Sequence, residues 1–173
     1  MLFRSDLSTR IILFLLLLSG TYSVNAQDST ATDTVKRIEI IRADNLRQIT
    51  TDSGIVLNAL TGNAMVRHEN TLLSGDSIVF DPDSGYAEVF GKVHINDGDT
   101  VQTESDYLRY VGKERKAYLT GKVRLTDRKG TVVSEVLTYD VASGMATYEG
   151  GGRVENGTTL LTSRSALYFS GGD

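Results

Sequence analysis

A repeat of about 30 residues constrains this chain more than any other feature. Gly91-Lys92-Val93-His94-Ile95 is matched by Gly121-Lys122-Val123-Arg124-Leu125, preceded by Gly62-Asn63-Ala64-Met65-Val66 and followed by the looser Gly152-Arg153-Val154. The leading glycines stand 29, 30 and 31 residues apart. A second signature falls midway through each unit, an aliphatic residue with an aromatic two positions later: Ile78 and Phe80, Leu108 and Tyr110, Leu137 and Tyr139, Leu167 and Phe169. Two signatures holding one period over four units belong to stacked supersecondary units, each burying its apolar face against the next.

Inside each unit the apolar residues alternate at period two, the pattern of a strand with one buried face. Ala87, Val89, Val93 and Ile95 share a face, as do Ala117, Leu119, Val123 and Leu125 one unit later, while Lys92, His94, Lys122 and Arg124 point the other way. Plentiful Val, Ile, Thr and Tyr, 17 glycines and a single proline agree with strands and tight turns. Gly91 and Gly121 interrupt the long apolar segments and predict a bend or bulge, and the alternation slips again near Ser105. Each repeat is therefore two long strands or four short ones. Asp81-Pro82-Asp83-Ser84-Gly85, Asn96-Asp97-Gly98-Asp99, Asp127-Arg128-Lys129-Gly130 and Asn156-Gly157 have hairpin-turn chemistry, which makes neighbours antiparallel. No stretch after residue 26 keeps a 3.6-residue period, so no substantial helix is expected.

The 173 residues suit one domain. Residues 1–26 read as a cleavable export signal: Arg4 and Arg10, the apolar run Ile11 to Leu18, and small residues at Val24-Asn25-Ala26. That run is too short to span a bilayer, which needs roughly 20 apolar residues. Removing the signal takes away two arginines and one aspartate, leaving a mature chain one unit more negative than the precursor's −4. This balance lacks the basic footprint of a nucleic-acid binder. Residues 27–36, opened by a run of Asp, Ser, Thr and Ala, read as a flexible linker. From Ile38 to Leu46 runs an atypical first copy of the repeat. With no cysteine there are no disulfides, thiolate metal sites or cysteine nucleophile.

Little in the chain suggests chemistry. Gly75-Asp76-Ser77-Ile78 looks like the start of a GDSL-type esterase, but the only histidines, His68 and His94, lie on strand patterns rather than in the context that such a serine needs for its base. Asp81 with Asp83, and Asp97 with Asp99, fall short of a calcium loop and are better explained as turn residues. Neither an enzyme, a cofactor nor a metal site is expected. Lys92, Lys122 and Arg153 form a column opposite the apolar face, the composition of a solvated exterior that discourages sheet aggregation. The inner face is more informative. Ile78, Phe80, Val93, Ile95, Leu108 and Tyr110 belong to it, continued by Val123, Leu125, Leu137, Tyr139, Leu167 and Phe169, with Ala64, Ala87, Ala117 and Ala146 interspersed. Two sheets facing each other through these residues enclose either a filled core or a partly open trough for acyl chains, each methylene of which gains roughly 0.8 kcal/mol on burial.

At these residues the chain resembles the OstA-like, or LptA-like, family of lipopolysaccharide transport proteins. The elements that carry the resemblance are Ala43-Asp44-Asn45-Leu46, Gly62-Asn63-Ala64-Met65-Val66, Ser74 to Asp81, Gly91-Lys92-Val93, Asp106 to Tyr110, Gly121-Lys122-Val123 and Leu137-Thr138-Tyr139-Asp140. They cover nearly all of residues 38 to 169 and place the domain at 37–173. The chain departs from the family's large outer-membrane partner in having no cysteine and no long barrel region. The resemblance implies an all-β, repeat-built, antiparallel incomplete β-jelly roll, an elongated two-sheet roll in the periplasm. Its apolar interior would carry the lipid A acyl chains of lipopolysaccharide toward the outer membrane. It also implies joining to other jelly-roll modules through edge strands, which present unpaired N–H and C=O groups near Ile38 to Leu46 and Leu160 to Phe169, and a possible head-to-tail homo-oligomer. The competing expectation is a structural β-solenoid scaffold or adhesin with a filled core.

Overall fold

The alternating segments all form strands in the computed structural model, which describes residues 37–170; the export signal and the linker lie outside the described residues. The strands are β1 (Glu39–Arg42), β2 (Asn45–Thr50), β3 (Val56–His68), β4 (Thr71–Asp81), β5 (Tyr86–Asp97), β6 (Val101–Val111), β7 (Lys116–Thr126), β8 (Thr131–Asp140), β9 (Met145–Asn156) and β10 (Thr159–Phe169). They form one open antiparallel sheet in which β3 to β10 follow chain order and both β1 and β2 pair with β3. β1 and β2 are thus two pieces of one edge strand, broken at Ala43-Asp44. Each full repeat supplies two long strands.

Every long strand bends in its middle, and the cause is local. Gly91 and Lys92 have φ of 69° and 46°, and Gly121 and Lys122 have 82° and 50°. Two consecutive left-handed residues cannot continue a pleated strand, so the ladder skips there, between Phe90 and Val93 and between Thr120 and Val123. The partner strand brings a carboxylate against the glycine. A Cβ built on Gly91 would lie 2.6 Å from Asp76 Oδ2, and one on Gly121 would lie 2.7 Å from Asp106 Oδ2. The next residue's amine returns to the same acid, Lys92 Nζ at 3.3 Å from Asp76 and Lys122 Nζ at 3.5 Å from Asp106. These exposed pairs contribute little energy; the steric fit of carboxylate to glycine is what makes each corner specific. Ser105 and Ser134 mark the facing corner residues, and each hydroxyl donates to the carbonyl two residues on, Tyr107 O and Val136 O, both at 3.0 Å.

Gly121→Ala should therefore destabilise the fold by about 1–3 kcal/mol from backbone strain alone, and more if Asp106 cannot move. Urea unfolding checks this, and Asp106→Ala in the same chain should recover the steric part of the loss.

Bending at the corners turns the inner faces of the two half-sheets toward each other, and between them lies the core. Leu60, Val66, Leu73, Val89, Leu119 and Val132 are fully buried there. The turns behave as their sequences predict: Asp81 Oδ1 accepts from Asp83 N at 2.9 Å, Asp127 Oδ1 accepts from Lys129 N at 2.8 Å, and Asp140 Oδ1 accepts from Ser143 N at 2.9 Å. Those bonds hold the Asp81 carboxyl below the usual range, with the Ser84 side chain the largest cause, and the Asp140 carboxyl likewise, led by the Ser143 amide.

Candidate functional site

Three ladders of side chains run across the interior, one residue per strand. In one half-sheet Leu60, Ile78, Val89, Leu108, Leu119 and Leu137 stand opposite one another in succession. Beside them aromatic and alanine residues alternate: Phe80, Ala87, Tyr110, Ala117, Tyr139, Ala146, Tyr168. In the other half-sheet the succession is Val66, Leu73, Ile95, Thr103, Leu125, Val132, Val154. The alanines sit between the rings of the neighbouring strands, so their small volume accommodates aromatic side chains of this chain, a large-small alternation that fills a face evenly.

Ten of the twelve inner-face residues expected from the sequence lie in this interior, each no more than 2% exposed: Ile78, Phe80, Val93, Ile95, Leu108, Tyr110, Val123, Leu125, Leu137 and Tyr139. The other two are a correction. Leu167 and Phe169 are 54% and 58% exposed on β10, and their neighbours Ala166 and Tyr168 pack against the core instead. The spacing explains the slip. Tyr110 to Tyr139 is 29 residues, and 29 more reaches Tyr168, not Phe169. Both Ala166-x-Tyr168 and Leu167-x-Phe169 fit the aliphatic-x-aromatic signature, and one residue of register reverses a strand's faces.

A feature the sequence reading missed closes the roll on the side away from the corners. His68 Nδ1 lies 2.9 Å from Tyr110 OH, Tyr139 OH donates to Asp97 Oδ2 at 3.0 Å, and Tyr168 OH donates to Asp127 Oδ1 at 2.7 Å. Each bond links the end of a strand in one half-sheet to a residue at the end of the other. Ile38 holds the equivalent place in the first unit and is buried without needing a polar partner. The signal was present in the 29- to 30-residue spacing of Ile38, His68, Asp97 and Asp127, but the four differ in chemistry, and the aspartates resemble ordinary turn residues. Burial pushes the Tyr110 hydroxyl up to about 12, and burial likewise raises those of Tyr139 and Tyr168, which Asp97 and Asp127 reinforce.

This seam has a sign. A tyrosine whose folded pKa exceeds its unfolded value of 10.0 contributes stability that is complete below pH 10 and is lost as pH rises toward the folded value, about 12 for Tyr110. The urea midpoint should fall across that window, and Tyr110→Phe should fall less steeply. A variant with the same slope as the parent would remove Tyr110 from the cause.

The exterior carries other details. Lys92 and Lys122 are exposed, as expected, and Arg153 Nε pairs with Glu155 at 2.6 Å. Ser77 of the esterase-like tetrapeptide lies on β4 between Thr61 and Phe90, away from the inner face. Glu88 accepts from Tyr107 OH at 2.6 Å, and burial with that bond lifts the Tyr107 hydroxyl to about 12.

A family model described as OstA-like protein matches residues 20–172. No curated protein matches the sequence significantly. Among solved structures the chain is similar to LptH of Pseudomonas aeruginosa, described as the LptA-homologous periplasmic component of the conserved lipopolysaccharide transport device. The TM-score is 0.51 and the identity 16%, over 63% of this chain and 79% of that one. At that identity the likeness is one of fold.

Proposed function

This chain belongs to the OstA-like protein family, and from that premise we propose that it is a periplasmic component of lipopolysaccharide transport, a bridge or carrier that takes lipid A acyl chains into its apolar interior on their way toward the outer membrane. The observation that carries the reading is the interior itself, a continuous apolar succession running from β3 to β9 with the same side-chain character in every unit. Such a row offers an acyl chain similar surroundings at each step, which suits passage better than tight capture. The candidate lining is Ile78, Phe80, Val93, Ile95, Leu108, Tyr110, Val123, Leu125, Leu137 and Tyr139. No catalytic step is part of this reading.

Partners follow from the two ends of the sheet. β1 and β2 are exposed along their whole length at one edge, and most of β10 is exposed at the other. We infer that further jelly-roll modules, or copies of this chain, add at these edges by strand pairing. The second reading, a scaffold with a filled core, is favoured by one observation: every one of those ten residues is already out of contact with solvent. Mass spectrometry of the protein purified from its own host separates the two. Co-purified lipid A supports the carrier, and its persistent absence supports the scaffold.

A further inference from the structure

We propose that Thr103 is a polar contact within the interior, and that the chain it contacts is a hydroxylated acyl chain rather than a plain hydrocarbon. The inference rests on the reading of the interior as an acyl-chain site and specifies the ligand of that site. Thr103 is 0% exposed, and its Oγ1 is the one buried side-chain oxygen or nitrogen among the described residues without a hydrogen-bond partner. It faces inward on β6, between Ile95 on β5 and Leu125 on β7. Every other member of its ladder is aliphatic.

A buried hydroxyl left unmet costs about 1–3 kcal/mol, and valine would fill the same outline without that cost. Internal solvent is a poor remedy. A buried water needs two to four polar partners, whereas the inner-face neighbours of Thr103 are Ile95, Leu125, Val101 and Ser105, and the Ser105 hydroxyl is already donated to Tyr107 O at 3.0 Å. A chain lying along the interior and carrying its own hydroxyl supplies both the apolar surface that the ladder needs and the partner that Thr103 lacks. In an otherwise apolar trough, such a contact discriminates between two chains of equal length.

The test compares the full chain with its Thr103→Val variant. Probes are tetradecanoic acid and its monohydroxylated forms, with the hydroxyl at successive carbons, measured by competition against a fluorescent fatty acid. The wild type should bind at least one hydroxylated form about three- to tenfold more tightly than the plain acid, the size of one net hydrogen bond. T103V should lose that preference while binding the plain acid no less well. Without ligand, T103V should unfold at the same or higher urea concentration, since it removes an unmet group. A preference that survives T103V, the absence of any preference in the wild type, or a T103V protein less stable than its parent each overturns the proposal. A wild type that binds no probe removes the acyl-chain reading along with it, whereas binding without preference removes only the role of Thr103.

Discussion

Replacing Leu108 with alanine is expected to lower the free energy of unfolding by about 2–5 kcal/mol, a large part of the 5–15 kcal/mol that a domain of this kind has in total. Leu108 is fully buried and stands between Val89 and Leu119, so the missing atoms leave a hole that neighbours on three strands cannot all collapse into. Leu108→Asp goes further. It sets a carboxylate among aliphatic groups with no counter-charge on the adjacent ladder positions, and desolvating an unpaired charge there exceeds what the domain can absorb. Circular dichroism should show the aspartate variant unfolded, and urea denaturation should give the alanine value. A loss below about 1 kcal/mol for alanine would mean a loosely packed interior. An aspartate variant that stays folded and binds lipid normally would place Leu108 outside the binding surface.

The corners and the core were legible in the sequence because each rests on one physical cause repeated at one period. Glycine followed by an exposed residue, with an acid half a unit earlier, is enough to bend a strand, and Gly91 and Gly121 do so for the same reason. Parity in the last unit was not legible. Turn length varies by a residue between repeats, and any odd change exchanges the two faces of the strand that follows. Hydrophobicity then selects Leu167 and Phe169, whereas the ladder selects Ala166 and Tyr168, because Tyr168 stands beside Ala146 and reaches Asp127. The seam escaped for a different reason. Its partners lie 41 or 42 residues apart and in different units, so no pattern within one repeat reveals them. Asp97 shows the difficulty: its sequence context is that of a turn, yet its carboxylate accepts from Thr71 Oγ1 at 3.1 Å and from Tyr139 OH.

The exposure of Leu167 and Phe169, an error for the interior, strengthens the case for the edge. With Leu160 and Leu161 they give β10 four large apolar side chains more than half exposed. At the opposite edge Ile40, Ile41 and Leu46 are exposed in the same way. A joint between these two different edges is heterologous, so it extends without closing and should give concentration-dependent rods or mixed assemblies rather than a fixed dimer. Proline tests it. Successive residues of an antiparallel strand send their N–H groups alternately to one neighbour and to the other, so of Ala166→Pro and Leu167→Pro, one removes a donor to β9 and the other a donor to the incoming strand. A proline that blocks a ladder position costs about 3 kcal/mol, which is about a hundredfold in association. One of the two variants should therefore remain as stable as the parent in urea yet sediment as a monomer where the parent assembles, and the other should lose stability. Two prolines that both leave assembly intact, or a parent monomeric at all concentrations and joined to no partner by crosslinking at either edge, would rule out strand addition at β10.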